Sequence, residues 1–220
     1  MDKWIYGYDA KGKRLNHLHI RNYNDNDFER LIEVQKKAFP PPFPSDLWWN
    51  QSQLQEHISI FPEGCLCIEV EGIIAGSMTA MRCTVDDQKD HKWEEITGNG
   101  TMRTHDENGP ELYVVDICVD PEYRSLGLGS QLTQAMYETV VHLGLDRLIG
   151  GARMPSYHKY ENEYTPEEYV NLILQSEIHD PVLTFLFKAG RSPVRPIAEY
   201  IDDKESCNYG LLTEWKNPFK

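Results

Sequence analysis

The most constraining feature of this chain is the junction Val119-Asp-Pro-Glu-Tyr-Arg124-Ser-Leu-Gly127-Leu-Gly129-Ser-Gln-Leu132. It joins the most apolar run, Leu112–Val119, to a segment with Leu132, Ala135, Met136, Val140 and Leu143 on one side. The run predicts a strand, and the 3.6-residue spacing predicts a helix that Gly144 stops. Two glycines one residue apart let backbone amides point into a common concavity, and the helix start adds free N–H groups and a positive dipole end. Together they form a cradle suited to phosphate, with Arg124 as an added cation. Leu132 stands where a dinucleotide fingerprint has its third Gly, and no Gly-Lys-Ser/Thr follows, which disfavours Rossmann and P-loop readings. For the glycine pair alone, a strand-turn-helix junction using Gly for tight packing is the competing account.

The flanking pattern alternates strands and helices. Trp4–Tyr8 and Leu15–Ile20 read as strands around the turn Asp9–Lys13. Asp25 or Asp27 caps a helix carrying Phe28, Leu31, Ile32, Ala38 and Phe39, which Pro40–Pro42 ends. A second helix is expected to start at Ser45 or Asp46, with Trp48 and Trp49 near its start and Leu47, Leu54 and Ile58 on one face. Cys65–Val70 and Ile73–Arg82 form a hairpin at Glu71-Gly72. The polar stretch Asp86–Pro110 reads as an exposed loop. Arg147–Ala152 is a strand, Thr165-Pro-Glu-Glu168 a capping box, Pro181–Phe187 a short helix, and Val194–Ile201 and Tyr209–Trp215 closing strands. At 220 residues, with 40% apolar and 11% aromatic residues, the chain can bury a substantial core.

The net charge of −13 repels phosphate backbones and anionic lipids, placing nucleic-acid and membrane partners last. No apolar run approaches a membrane span and no signal-peptide stretch follows Met1, so a cytosolic protein is expected. Five cysteines, Cys65, Cys67, Cys83, Cys118 and Cys207, cannot all pair internally and read as free thiols. His17 and His19 share a strand face but lack a third ligand, so no metal is expected.

Arg124, Gly127 and Gly129, accompanied by Val119, Pro121 and Tyr123, resemble the acetyl-coenzyme A signature of the GNAT N-acetyltransferase superfamily. The stretches Gly150–Tyr160, Tyr164–Tyr169, His179–Leu183 and Leu211–Trp215 look like the acetyltransferase half of proteins that fuse such a domain to a nitrilase-like amidohydrolase, a half not expected within these 220 residues. The resemblance implies an α/β (α+β) GNAT fold: a central, mixed, mostly antiparallel sheet flanked by helices, in one domain over 1–220 with a helical insertion at about 153–178. It implies acetyl-CoA as cosubstrate, with Arg124, Ser125, Leu126, Gly127, Leu128, Gly129 and Ser130 around the pyrophosphate and the backbone of Ile117, Cys118 and Val119 along the pantetheine arm.

Two departures from the family pattern bear on catalysis. Leu186 occupies the place of the tyrosine that acts as general acid, and His179 that of a cofactor-contacting Asn; Tyr157, Tyr160 and Tyr164 are the substitute acids. At the strand positions where many relatives carry the base stand Tyr113 and Val115, leaving Asp116 and Glu111 as candidates. Burial within an apolar strand would raise the pKa of Asp116 and suit it to accept a proton, although a structural hydrogen-bonding role explains the same residue. Phe39–Pro44 with Trp48 and Trp49 would frame a substrate entrance.

The expected reaction is transfer of acetyl to a primary amine by direct attack. The rival readings are a non-catalytic acyl-CoA binding or sensing module and an interaction partner of a nitrilase-like amidohydrolase. The expected partners are a small-molecule or peptide amine and a second copy of the chain in a homodimer. Asp46, Glu161, Glu163, Glu167 and Glu168, taken to lie on the acceptor side, favour a cationic amine.

Overall fold

The computed structural model describes residues 1–8, 12 and 14–220, so the expected turn Asp9–Lys13 falls, Gly12 apart, outside the described residues. Eight strands form one sheet: β1 (Asp2–Tyr8), β2 (Leu15–Asn22), β3 (Cys65–Val70), β4 (Ile73–Cys83), β5 (Glu111–Val119), β6 (Arg147–Arg153), β7 (Ser192–Ile197) and β8 (Gly210–Lys216). Their spatial order is β1-β2-β3-β4-β5-β6-β8-β7, and every neighbouring pair is antiparallel except β5 with β6. Ile74–Met81 of β4 are buried without alternation, because both faces of the sheet are covered there. The helices α1 (Phe28–Ala38) and α4 (Leu128–His142) both pack on β4 and β5. Among the described residues no helix is long and apolar enough to cross a membrane.

Two elements depart from the sequence reading. Helix α2 spans Gln51–Ile60 and starts after Asn50, not at Ser45 or Asp46. The Asn50 side chain accepts from the Gln53 amide (3.0 Å) and the Gln53 side chain accepts from the Asn50 amide (3.1 Å), a reciprocal cap that outcompetes the earlier start. Ser45–Leu47 is a separate 3-10 turn, and Trp48 is extended. The stretch read as an exposed loop holds a short helix, α3 (Trp93–Thr97), whose Trp93 and Thr97 are buried. The polar composition of the surrounding stretch hid it, and of its own five residues Glu94 and Glu95 face solvent.

The capping box at Thr165 forms as expected and starts α5 (Pro166–Leu174); α6 (Leu183–Lys188) follows. Strand β7 ends at Ile197, so Tyr200 leaves the strand pattern and is buried. The five cysteines are free thiols, four of them buried.

The β5–β6 seam organises the molecule. Parallel pairing covers only Glu111↔Arg147, Leu112↔Leu148 and Tyr113↔Ile149. On the other side of β5, a bulge falls where the pairing jumps from Ala80↔Val114 to Thr79↔Asp116, leaving Val115 as the extra residue. From there Val114–Val119 and Gly150–Arg153 border a cavity, with Val114 still lying against Gly150.

Glu111 sits at the closed end of this seam and is buried. Its carboxylate accepts from Arg147 Nε (2.7 Å) and from the Val85 amide (2.8 Å), while Arg147 also pairs with Asp87 (2.7 Å) and Glu214 (2.8 Å). Its oxygens are engaged and it does not border the cavity, so Glu111 is corrected from candidate base to structural anchor. Replacing Glu111 by Ala removes these charge-assisted bonds and is expected to lower stability by about 1–3 kcal/mol in a urea titration, without changing turnover per folded molecule.

Candidate functional site

The cavity in the β5–β6 opening has a volume of about 590 Å³. One rim is the turn between β5 and α4. Asp120, fully buried, begins it: its carboxylate accepts from the Glu122 amide (3.1 Å) and pairs with Arg30 (2.9 Å) and Lys37 (3.2 Å) of α1. Burial by itself would raise the Asp120 pKa; the Glu122 amide and the two cations outweigh it and hold the carboxyl below its usual range. That pairing ties the turn to α1. Pro121–Leu126 then form a 3-10 turn ending at Gly127, whose left-handed backbone (φ 69°, ψ 21°) starts α4 with no side-chain cap. The amides of Leu128, Gly129 and Ser130 begin the helix with no carbonyl a turn behind them.

Gly127, Gly129 and Ser130 border the cavity, and a Cβ on Gly129 would stand 3.1 Å from the ring of Phe185 on α6. A phosphate-bearing group fits this uncapped, side-chain-free end. Arg124, Ile117, Cys118 and Val119 also border the cavity, whereas Ser125 and Leu126 lie outside its lining and the Leu128 side chain is buried in the core. Cys118 bonds through sulfur to the Ser77 hydroxyl (3.3 Å), and burial pushes its thiol well up.

Asp116 faces the cavity among Gln35, Trp49, Met78 and Cys118. Its surroundings remove it from bulk water and raise its pKa to about 7; the donors of Cys118, Trp49 and Gln35 offset part of that effect. No cation pairs with it among the described residues. Trp49 is positioned by its backbone amide, which donates to the Gln35 side chain (2.6 Å). Phe39, Phe43 and Leu47 complete this wall, and Trp48 holds it from behind by donating to the Phe39 carbonyl (2.9 Å).

The remaining candidates lie elsewhere. Tyr157 is buried among Tyr169 and Tyr209, and its hydroxyl donates to the Tyr164 carbonyl (3.0 Å); burial pushes its pKa up to about 12. It does not border the cavity, so it is corrected from candidate acid to packing residue, and Tyr160 packs at a tilt on Tyr169 in the same cluster. His179 is exposed and outside the cavity lining, while Leu186 does border it. Tyr113 is fully buried behind the wall, its hydroxyl 3.0 Å from both Tyr200 Oη and His91 Nε2. Asp46, Glu161, Glu163, Glu167 and Glu168 do not border the cavity, whose charged side chains are Asp116, Arg124, Arg153 and Arg191. The electrostatic basis for a cationic acceptor is therefore absent from the cavity wall.

Several contributors escaped the sequence reading. Trp93 donates its indole N–H to the carbonyl of Val115 (2.9 Å), the residue displaced by the bulge. Tyr200 closes over Gly151, where a Cβ would stand 2.2 Å from its ring. The pair Gly150-Gly151 inside a strand was a usable signal of such close approach. Nothing local marks Tyr200 or Arg191.

Residues 28–162, more than half of the chain, match the model of the Acetyltransferase (GNAT) family. The chain is 48% identical to the uncharacterized N-acetyltransferase YkwB of Bacillus subtilis (strain 168), over 99% of this chain and 96% of that one. It is 36% identical to "Probable hydrolase YhcX" of the same organism over 90% of this chain, but spans only 38% of that longer protein. Among solved structures, the GphF GNAT-like decarboxylase in complex with isobutyryl-CoA superposes with a TM-score of 0.76 at 22% identity, covering 90% of this chain and 98% of that one. The eight-stranded sheet, the uncapped turn at Gly127 and these matches together establish that the chain belongs to the GNAT acetyltransferase family, with an acyl-coenzyme A as its cosubstrate.

Proposed function

We propose that this enzyme transfers acetyl from acetyl-CoA to a primary amine by direct attack, with Asp116 as the general base. The observation that carries this reading is the placement of a carboxyl with a pKa near 7 in the same cavity as the uncapped start of α4. The amides of Gly127, Leu128, Gly129 and Ser130 would hold the pyrophosphate, and Arg124 would add charge at the exposed rim. Among the described residues the β6 side of β5 has no strand partner beyond Tyr113, so the backbone of Ile117–Val119 can pair with an extended pantetheine arm as an added strand would.

Asp116 would take the proton that the amine sheds as its nitrogen bonds to the thioester carbonyl carbon. The C–S bond then breaks and the sulfur leaves as a thiolate that solvent protonates. Trp49, Phe39 and Phe43 form an apolar wall that keeps this exchange out of bulk water. A GNAT relative bound to isobutyryl-CoA shows that acyl groups other than acetyl enter this fold, so acetyl is the starting probe of donor choice.

Coenzyme binding is read from thermal stability. A ligand at a hundredfold excess over its Kd adds about 2.7 kcal/mol, and acetyl-CoA should raise the Tm by about 5–10 °C in a chain of this size. Gly129→Val should abolish the shift by crowding the cradle and Phe185; a wild-type curve unmoved by millimolar acetyl-CoA overturns the cofactor assignment. For the base, Asp116→Asn should keep that shift yet cut turnover about 10²- to 10⁴-fold, measured as thiol release with a capable amine. Because only the carboxylate accepts a proton, wild-type activity should rise with pH through about 7. Equal turnover in the two proteins assigns Asp116 a structural role.

A further inference from the structure

Among the described residues, Arg191 is the one cationic side chain of the cavity wall that is both buried and without a carboxylate. Arg153 donates to Asp203 (2.8 Å) and Glu205 (3.0 Å), and Arg124 is exposed. Arg191 is only 5% exposed, borders the cavity, and has no acidic group within 4 Å among the described residues. One Nη donates to the Thr213 carbonyl, and Nε is enclosed with no partner. Glu214, the carboxylate nearest in sequence to Thr213, is committed to Arg147 and Lys216. The groups that act on it are the phenols of Tyr113, Tyr137 and Tyr200, which burial keeps neutral, and Glu214 from beyond ion-pair distance; the Tyr137 hydroxyl is already donated to the Ala189 carbonyl (3.0 Å).

A guanidinium held out of water with an unmade hydrogen bond costs stability, and burial pulls the Arg191 pKa down to about 10. Such a cost is recovered when an anion enters. The coenzyme phosphates are an unsuitable source, because the cradle lies at Gly127–Ser130 while Arg191 sits beside Tyr137, eight residues and about 12 Å further along α4. Thr213 of β8 and Gly150 and Gly151 of β6 border the cavity with Arg191, the space beside the two glycines being taken by Val114 and Tyr200. The planar guanidinium fork matches a carboxylate in two parallel hydrogen bonds.

We infer that Arg191 receives a carboxylate of the substrate at the β6–β8 end of the cavity, so that the enzyme acts on a carboxylate-bearing small molecule. The carboxylate belongs either to the acceptor, as in an α-amino acid, or to the acyl group, as in a dicarboxylic monothioester. This inference rests on the acyl-transfer reading only for the identity of the group held by the Gly127–Ser130 turn. It replaces net charge with a named cation as the guide to substrate choice.

Calorimetry on the intact chain separates the two sources. The acyl arm compares succinyl-CoA with butyryl-CoA, which differ by the terminal carboxylate. The acceptor arm compares each of the common α-amino acids with its decarboxylated amine, with and without coenzyme A. The expected result is a preference of about 10-fold or more for the carboxylate-bearing member in one arm, equivalent to about 1.4 kcal/mol. In Arg191→Met that preference should fall to near unity while coenzyme A itself binds within about threefold of wild type. Arg191→Lys, which keeps the charge and loses the fork, should retain part of it and serves if the Met variant does not fold. Equal binding within both wild-type pairs overturns the inference, and so does a preference that survives in Arg191→Met or is undiminished in Arg191→Lys. Failure of coenzyme A to bind the wild type counts against the acyl-transfer reading, and the amino-acid arm without coenzyme then decides on Arg191 alone.

Discussion

The structure depends on how briefly β5 and β6 stay paired. Three registered residues hold them, and the Arg147 cluster of Glu111, Asp87 and Glu214 closes that end. A longer ladder would satisfy more backbone groups and leave no cavity. The bulge at Val115 changes which side chains of β5 face each side, turning Asp116 toward Gln35 and Trp49. The carbonyl that the bulge displaces is bound by Trp93, so α3 stabilises the irregular strand that the site requires.

Charge is distributed by the same logic of commitment. Most buried ions in this molecule are locked into structural pairs: Glu111 with Arg147, Asp120 with Arg30 and Lys37, Asp203 with Arg153, Asp27 with Arg21 (2.7 Å). All but the Asp27–Arg21 pair join segments far apart in sequence, and removing one partner would strand the other away from water. Asp116 and Arg191 have no such counter-ion among the described residues, and both border the cavity. A net charge of −13 belongs to the chain as a whole; among the described residues the cavity lining carries a different balance, with three arginines to one aspartate.

Much of this was legible in local sequence. The Gly127-Leu-Gly129 turn between an apolar strand and an amphipathic helix could be read as an anion cradle because its physics is local: the backbone freedom of glycine and the free amides of a helix start. The strands and helices with clean periodicity, such as β3, β4, α1 and α4, fell within a few residues of their expected bounds for the same reason. Asp116 was legible as a perturbed carboxyl because an acid amid Val115, Ile117 and Cys118 must lose water wherever the strand is buried. By contrast, Glu111 and Tyr157 carry plausible chemistry in sequence, and only their partners reveal their structural use.

Sequence by itself determined the family, the glycine turn and the order of the strands and of every helix but α3, since these follow from short-range spacing and backbone conformation. Tertiary structure decided which ionisable groups meet in the cavity and which are spent on packing. Arg147 and Arg191 are the same residue type beside strands that read alike, yet one is surrounded by three carboxylates and the other by neutral phenols and carbonyls. That difference arises from contacts across β5, β6 and β8, between residues tens of positions apart, where no local pattern records which side chain a cation will face.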